Sequence, residues 1–369
     1  MVKLKYTEYT RVYIIIEVLT IALMWCVGIE FASIIMIVYL KTVFVASAVF
    51  LFSCCDGETA IQSEHIKMNE RPIIGILSQE QDYRLKDKYS QENFMSYISA
   101  SYVKSVEASG ARVLPIFIGK SRNYYKELMS KINGVLYPGG NTWFNQSDGY
   151  ADAGQHIYEI AQEFNDAGDY FPLFGTCLGF ELFVIMASGK DRPENRVHCV
   201  AIGNYPLMFT EDYRSSKLFN QISKKSADLL EKENSTVHHH QFCIVDENLE
   251  RYNLTKDWRV SSHSMDNQGK KFISSIEHRR YPFYGVQFHP EKPAFEWNKK
   301  NKYLRSRDAI DAQRYFMDFF VEECKRNSHK FIDEKEETDS LIYNYKPYYT
   351  GAQGAYFTQC YFFEPQMGH

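Results

Sequence analysis

The sequence predicts an α/β fold: a mainly parallel central sheet with helices on both faces, and some antiparallel strands in the second half. Three observations carry this expectation. From residue 72 to residue 186, short apolar runs of strand character alternate with helical segments. At 172–183 the chain reads PLFGTCLGFELF, an apolar run that enters a glycine-flanked turn and leaves as an apolar helix. In the second half, strand-like runs follow one another with short connections, which antiparallel pairing allows and parallel pairing does not.

The elements follow in order. Pro72–Ser78 (PIIGILS) is a short apolar run with strand character. Residues 96–108 have helical spacing and stop at Gly110. Arg112–Ile118 reads as the second strand, Tyr124–Ile132 as a helix, and Gly134–Tyr137 as the third strand, ending in Pro138-Gly139-Gly140. Ala151–Asn165 is an amphipathic helix, and Phe171–Gly175 is the fourth strand, leading to Cys177 and a helix through Met186. Later strands are expected at Cys243–Val245, Trp258–Ser262, Lys271–Glu277 and Pro282–Phe288. Arg307–Arg326 reads as a long helix, Lys330–Asp339 as a charged solvated loop, and the aromatic stretch Leu341–Phe363 as a tail that packs back on the domain.

The chain has 369 residues, 45% of them hydrophobic and 24% charged, which suits one large folded domain. A net charge of −4 gives no basis for a nucleic-acid partner. Residues 1–55 differ from the rest: 12–53 are largely apolar, broken by Glu17, Glu30 and Lys41. Two readings stand. About 20 residues around Leu19–Leu40 match a bilayer core in length. Alternatively, the segment from Met36 is a secretory signal, with Lys41, an apolar run from Thr42 to Phe52 and small residues at 53–55, so that residues 1–35 precede it as an extension. Either way the remainder enters the secretory pathway, and membrane contact follows only if the apolar segment is retained. Residues 56–70 are polar and aperiodic, a linker to a folded domain at 71–363. Asn145, Asn234 and Asn253 each open an N-x-[ST] sequon, so glycosylation is expected there.

Of eight cysteines, three (26, 54, 55) leave with a cleaved leader. Five remain, an odd number for an oxidising compartment, which marks one as a reactive thiol. Cys177 is the candidate; 199, 243, 324 and 360 form two disulfides in one of three pairings or stay free. No CxxC pair points to a structural zinc site, and the run His238-His239-His240 offers two ligands at best, so no metal is expected.

Cys177 sits where a strand becomes a helix, with glycine two residues before and two after. Chance supplies both glycines for about one cysteine in 200. A tight strand-to-helix turn crowds its flanks, which the glycines relieve, and exposes its central side chain at the carboxyl rim of the sheet. The following helix N-terminus favours a thiolate, and the N–H of Leu178 is placed to hold an oxyanion. A thiol nucleophile needs a base. PFYGVQF at 282–288 reads as a strand, followed by His289-Pro290-Glu291, so His289 lies at the same rim. Glu291 can reach back to its imidazole and fix the tautomer.

FGTCLGFEL at 174–182 and YGVQFHPEK at 284–292 resemble the flavodoxin-like, class I glutamine amidotransferase-like fold. Within it the chain is similar to the gamma-glutamyl hydrolase family over about residues 70–363. Carrying that likeness are RPIIGIL (71–77), ASYVKSVEASGARVLPI (100–116), INGVLYPGG (132–140), GDYFPLFGTCLGFE (168–181), PEKPAFEW (290–297) and LIYNYKPYYTG (341–351). The resemblance implies that Cys177 is the nucleophile, His289 the general acid/base and Glu291 the third triad member. It implies a second oxyanion N–H from Gly140, and supporting or substrate-binding roles for His240 and Glu181. It further implies no cofactor, a small-molecule substrate of the folylpoly-γ-glutamate class, a homodimer, and a lysosomal or secreted setting. The rival readings are a glutamine amidase-type enzyme, a silent γ-glutamyl-ligand binding protein, and a membrane-tethered form of the hydrolase.

Overall fold

The computed structural model describes residues 68–81, 83–89, 92–189, 195–299 and 301–365. The apolar leader, residues 56–67 of the linker, and Cys26, Cys54 and Cys55 lie outside them. Among the described residues, no helix is long and apolar enough to cross a membrane.

In chain order the strands are β1 (Ile73–Leu77), β2 (Gln79–Glu80), β3 (Ser96–Ser99), β4 (Arg112–Ile116), β5 (Gly134–Tyr137), β6 (Leu173–Thr176), β7 (Val197–Tyr205), β8 (Met208–Phe209), β9 (Thr236–Cys243), β10 (Trp258–Met265), β11 (Lys271–His278), β12 (Phe283–Val286), β13 (Pro347–Tyr348) and β14 (Cys360–Phe363). Seven helices matter here: α1 (Ala100–Ala108), α2 (Arg122–Met129), α3 (Tyr150–Asp166), α4 (Leu178–Ser188), α5 (Lys224–Lys232), α6 (Arg307–Lys325) and α7 (Glu334–Ser340). The main sheet runs β4-β1-β5-β6-β12-β11-β10-β8. Its first five strands are parallel. The remaining pairings are antiparallel, as the second half of the sequence predicts.

Both faces of the sheet are buried, and side-chain alternation divides two cores. Along β1, Ile73 and Leu77 join the core covered by α2, α3 and α4, while Ile74 and Ile76 join the core covered by α1, α5 and α6. In β6, Leu173 and Phe174 divide the same way. This explains why the parallel strands read as continuous apolar runs rather than alternating ones. Pro115 is tolerated inside β4 because that strand is the sheet's edge and needs no N–H on its open side.

Three of the expected elements take a different form in the structure. The helix expected over 96–108 begins only at Ala100, because Ser96–Ser99 is a strand hydrogen-bonded to β14 in a four-stranded antiparallel sheet. The strand expected at Cys243–Val245 ends at Cys243; it is the last residue of β9, which pairs antiparallel with β7. The charged stretch 330–339 is partly helical. Asp333 caps α7 by accepting from the N–H of Lys335, and Lys335 pairs with Asp339 one turn on. Glu336 and Glu337 tie the helix to Lys131 and Arg112. Charges at helical spacing, rather than an apolar face, hold this helix in place.

Cys199 of β7 and Cys243 of β9 form a disulfide; Cys324 is a buried thiol, and Cys360 is buried as well. Among the described residues this is the one bridge seen, and Cys324 and Cys360 stand apart: Cys324 packs against Gly134 under the main sheet, while Cys360 lies in the small sheet.

Candidate active site

Cys177 occupies the single residue between β6 and α4, with φ 51° and ψ −105°. A β-carbon in this region costs on the order of 1–3 kcal/mol, so the surroundings must hold it. They do. The Cys177 N–H donates to the carbonyl of Val286 at 2.7 Å, and its carbonyl accepts from the N–H of Glu181 at 2.9 Å. The glycines are explained by contact. A β-carbon at Gly179 would lie 2.3 Å from the Tyr137 carbonyl oxygen, and one at Gly175 would lie 2.8 Å from the backbone of Gly179 and Phe180.

β12 runs beside β6, with Val286 opposite Thr176, so the residues after both strands emerge at one rim. His289 follows β12 there. A β-carbon placed on Gly139 would touch His289 Cε1 at 2.7 Å and Cys177 Cβ at 2.9 Å. The two side chains are therefore neighbours across a position that only glycine leaves open. His289 Nδ1 and Glu291 Oε1 are 2.8 Å apart. His289 Nε2 is buried without a hydrogen-bond partner among the described residues. The ring thus spends Nδ1 on Glu291 and leaves Nε2 open.

Gly140, Cys177, Leu178, Glu181, His240 and His289 line one cavity. Glu291 stands behind the imidazole instead, only 2% exposed. Tyr102, which the sequence reading did not single out, closes the arrangement. Its hydroxyl accepts from the Gly139 N–H at 2.8 Å and lies 3.2 Å from His289 Nδ1. Gln287 is the second omission: its amide donates to Glu181 Oε1 at 3.0 Å and lies 3.8 Å from Cys177 Sγ. A Gln two residues before the candidate base was visible in the sequence. Tyr102, on a helix of the opposite layer, carried no signal. His240 lies on β9, with Nε2 3.1 Å from His238 Nδ1 and Nδ1 without a hydrogen-bond partner among the described residues. The three sequon asparagines are exposed.

Burial governs the electrostatics. It pushes the Cys177 thiol up to about 12, with the Glu181 carboxylate adding to the effect and Lys292 and the Leu178 N–H opposing it. Burial holds His289 well below the ordinary imidazole range, with the Lys292 ammonium acting in the same direction. It raises Glu291 to about 7. Both shifts favour a neutral thiol beside a neutral ring over an ion pair, because burial penalises separated charge. A chemical consequence follows. Alkylation of the resting protein by iodoacetamide is expected to quicken about tenfold per pH unit from pH 6 to 9, as thiolate appears. Inactivation followed by residual activity measures it; a rate flat across that range contradicts a neutral thiol.

The Peptidase C26 family model matches residues 72–291 of the chain. Curated relatives include a protein described as gamma-glutamyl hydrolase from Mus musculus, 39% identical over 80% of this chain and 90% of that one. The Homo sapiens gamma-glutamyl hydrolase is 34% identical over 85% and 96%. Gamma-glutamyl hydrolase B of Dictyostelium discoideum is 36% identical over 77% and 80%.

Proposed function

The chain belongs to the Peptidase C26 family, whose curated relatives here are gamma-glutamyl hydrolases, and from that membership we propose that it hydrolyses γ-glutamyl amide bonds through a thioester on Cys177. His289 Nε2 takes the thiol proton as sulfur attacks the γ-carbonyl, so no free thiolate need accumulate beforehand. The N–H groups of Leu178 and Gly140 receive the developing oxyanion. The imidazolium, steadied by Glu291, passes its proton to the leaving amine. Water then cleaves the thioester, with His289 again as base. No organic or metal cofactor enters any step.

The observation that carries this reading is the approach of Cys177 and His289 across Gly139 at the rim where the cavity opens. The resemblance supports folylpoly-γ-glutamate as the substrate class. The exposed sequons and the Cys199–Cys243 bridge support a secretory route, toward a lysosome or the exterior.

The test is incubation of the purified protein with pteroyl-tri-γ-glutamate and, separately, with free glutamine. Release of glutamate or γ-linked glutamyl peptides from the first is expected. Ammonia from glutamine without cleavage of the γ-linked chain would overturn the proposal in favour of an amidase. Binding of the γ-linked chain without cleavage would overturn it in favour of a silent binding protein.

A further inference from the structure

Arg196 stands just before β7, with its guanidinium 4.8 Å from the ring centre of Phe144 and 4.2 Å from that of Phe242. Two aromatic faces fix its plane. Its Nη1 donates to Glu181 Oε2 at 2.7 Å, the side chains being 12% and 3% exposed. Glu181 Oε1 in turn accepts from the Gln287 amide that lies near the Cys177 sulfur. Arg196 also lines the cavity that holds Cys177 and His289. Among the described residues, Glu181 is its hydrogen-bond partner. A guanidinium has five N–H donors, and the one bond to Glu181 leaves this cavity-lining fork with donors to spare.

In a γ-linked glutamyl chain each residue keeps a free α-carboxylate, separated from its scissile carbonyl by three carbons. In an α-linked peptide that carboxylate is consumed by the next bond. Resting on the hydrolase reading above, we propose that Arg196 is the specificity-determining residue that binds the α-carboxylate of the acyl-side glutamate and so selects γ-linked over α-linked substrates. The planar fork, already held on one side by Glu181 and on two faces by rings, is preorganised for a carboxylate on its open edge. Lys292 faces the same cavity, but its ammonium donates to the Tyr356 hydroxyl at 3.1 Å and lies 4.6 Å from the centre of that ring.

The experiment compares N-benzoyl-γ-glutamyl-p-nitroanilide with its α-carboxamide counterpart. Wild type is expected to prefer the carboxylate by about 10- to 100-fold in kcat/KM, the value of a charged hydrogen bond. Arg196→Met is expected to erase the preference, mainly through KM. Arg196→Lys, which retains the ion pair with Glu181, is expected to restore part of it. The double variant Arg196→Met/Glu181→Gln removes both charges and is expected to show no preference, which separates recognition from the strain of an unpaired buried glutamate. Equal losses on both substrates in Arg196→Met, or a preference that survives it and vanishes in Lys292→Met, would overturn the proposal. Calorimetric binding of N-benzoylglutamate against N-benzoylisoglutamine reads the same preference without turnover. If wild type cleaves neither anilide yet Arg196 still governs that binding difference, the hydrolase reading fails and this one stands.

Discussion

Cys177→Ala is expected to lower kcat on a γ-glutamyl anilide by on the order of 10^5-fold or more, because on the proposed mechanism it removes the atom that forms the covalent intermediate. That corresponds to about 7 kcal/mol of transition-state stabilisation. Alanine suits the site: position 177 already carries a β-carbon at φ 51°, and the backbone bonds to Val286 and Glu181 do not involve the sulfur. The variant should therefore fold and bind substrate with unchanged affinity. A steady-state rate at wild-type level after exhaustive purification would mean that another group attacks the carbonyl.

The second large effect belongs to His289. Its replacement by glutamine is expected to cost about 10^3- to 10^4-fold in kcat/KM, the upper range for a positioned general base. The pH profile separates this from mere disruption. With burial pushing the Cys177 thiol up, an enzyme lacking its base must draw thiolate from solution. Residual activity of His289→Gln should thus climb steadily with pH, while the wild-type rate changes far less over the same interval. The sign is fixed by the directions of the two shifts: a raised thiol leaves little thiolate at neutral pH, and a lowered imidazole keeps the wild-type base unprotonated. Adding Cys177→Ala to His289→Gln should cost little more than Cys177→Ala alone, since residues acting as a unit are not additive. Parallel pH profiles for wild type and His289→Gln would remove His289 from proton transfer.

Sequence reasoning reached the parallel half of the sheet because every strand there is buried on both faces, so each appears as an unbroken apolar run bounded by glycine or proline. It located the Cys177 turn because steric crowding leaves a two-glycine mark that spacing alone reveals. It erred at Ser96–Ser99, where the pairing partner is β14 near the far end of the chain and local spacing favours the helix that follows. The long strand β7 escaped notice because it is partly exposed and carries polar residues, and β9 was expected only at its Cys243 end because its buried positions include the polar histidine run. At the site, His289 and Glu291 were legible because they are two residues apart, and the contact that joins them is local. Tyr102 and Arg196 were not, because each reaches the site from a distant segment as an ordinary helix or loop residue. The helix α7 was hidden for the opposite reason: its stabilising partners, Lys131 and Arg112, lie far away in the sequence and only the fold brings them near.

The central claim is that sulfur 177 carries the acyl group during turnover. Rapid acid quench of the protein with excess γ-glutamyl substrate, followed by mass analysis of its proteolytic peptides, addresses it most directly. The account predicts a labile γ-glutamyl adduct on the peptide containing Cys177, absent from Cys177→Ala and accumulating when deacylation is slowed. Turnover with no adduct on that peptide at any quench time, or an adduct on a different residue, would contradict it.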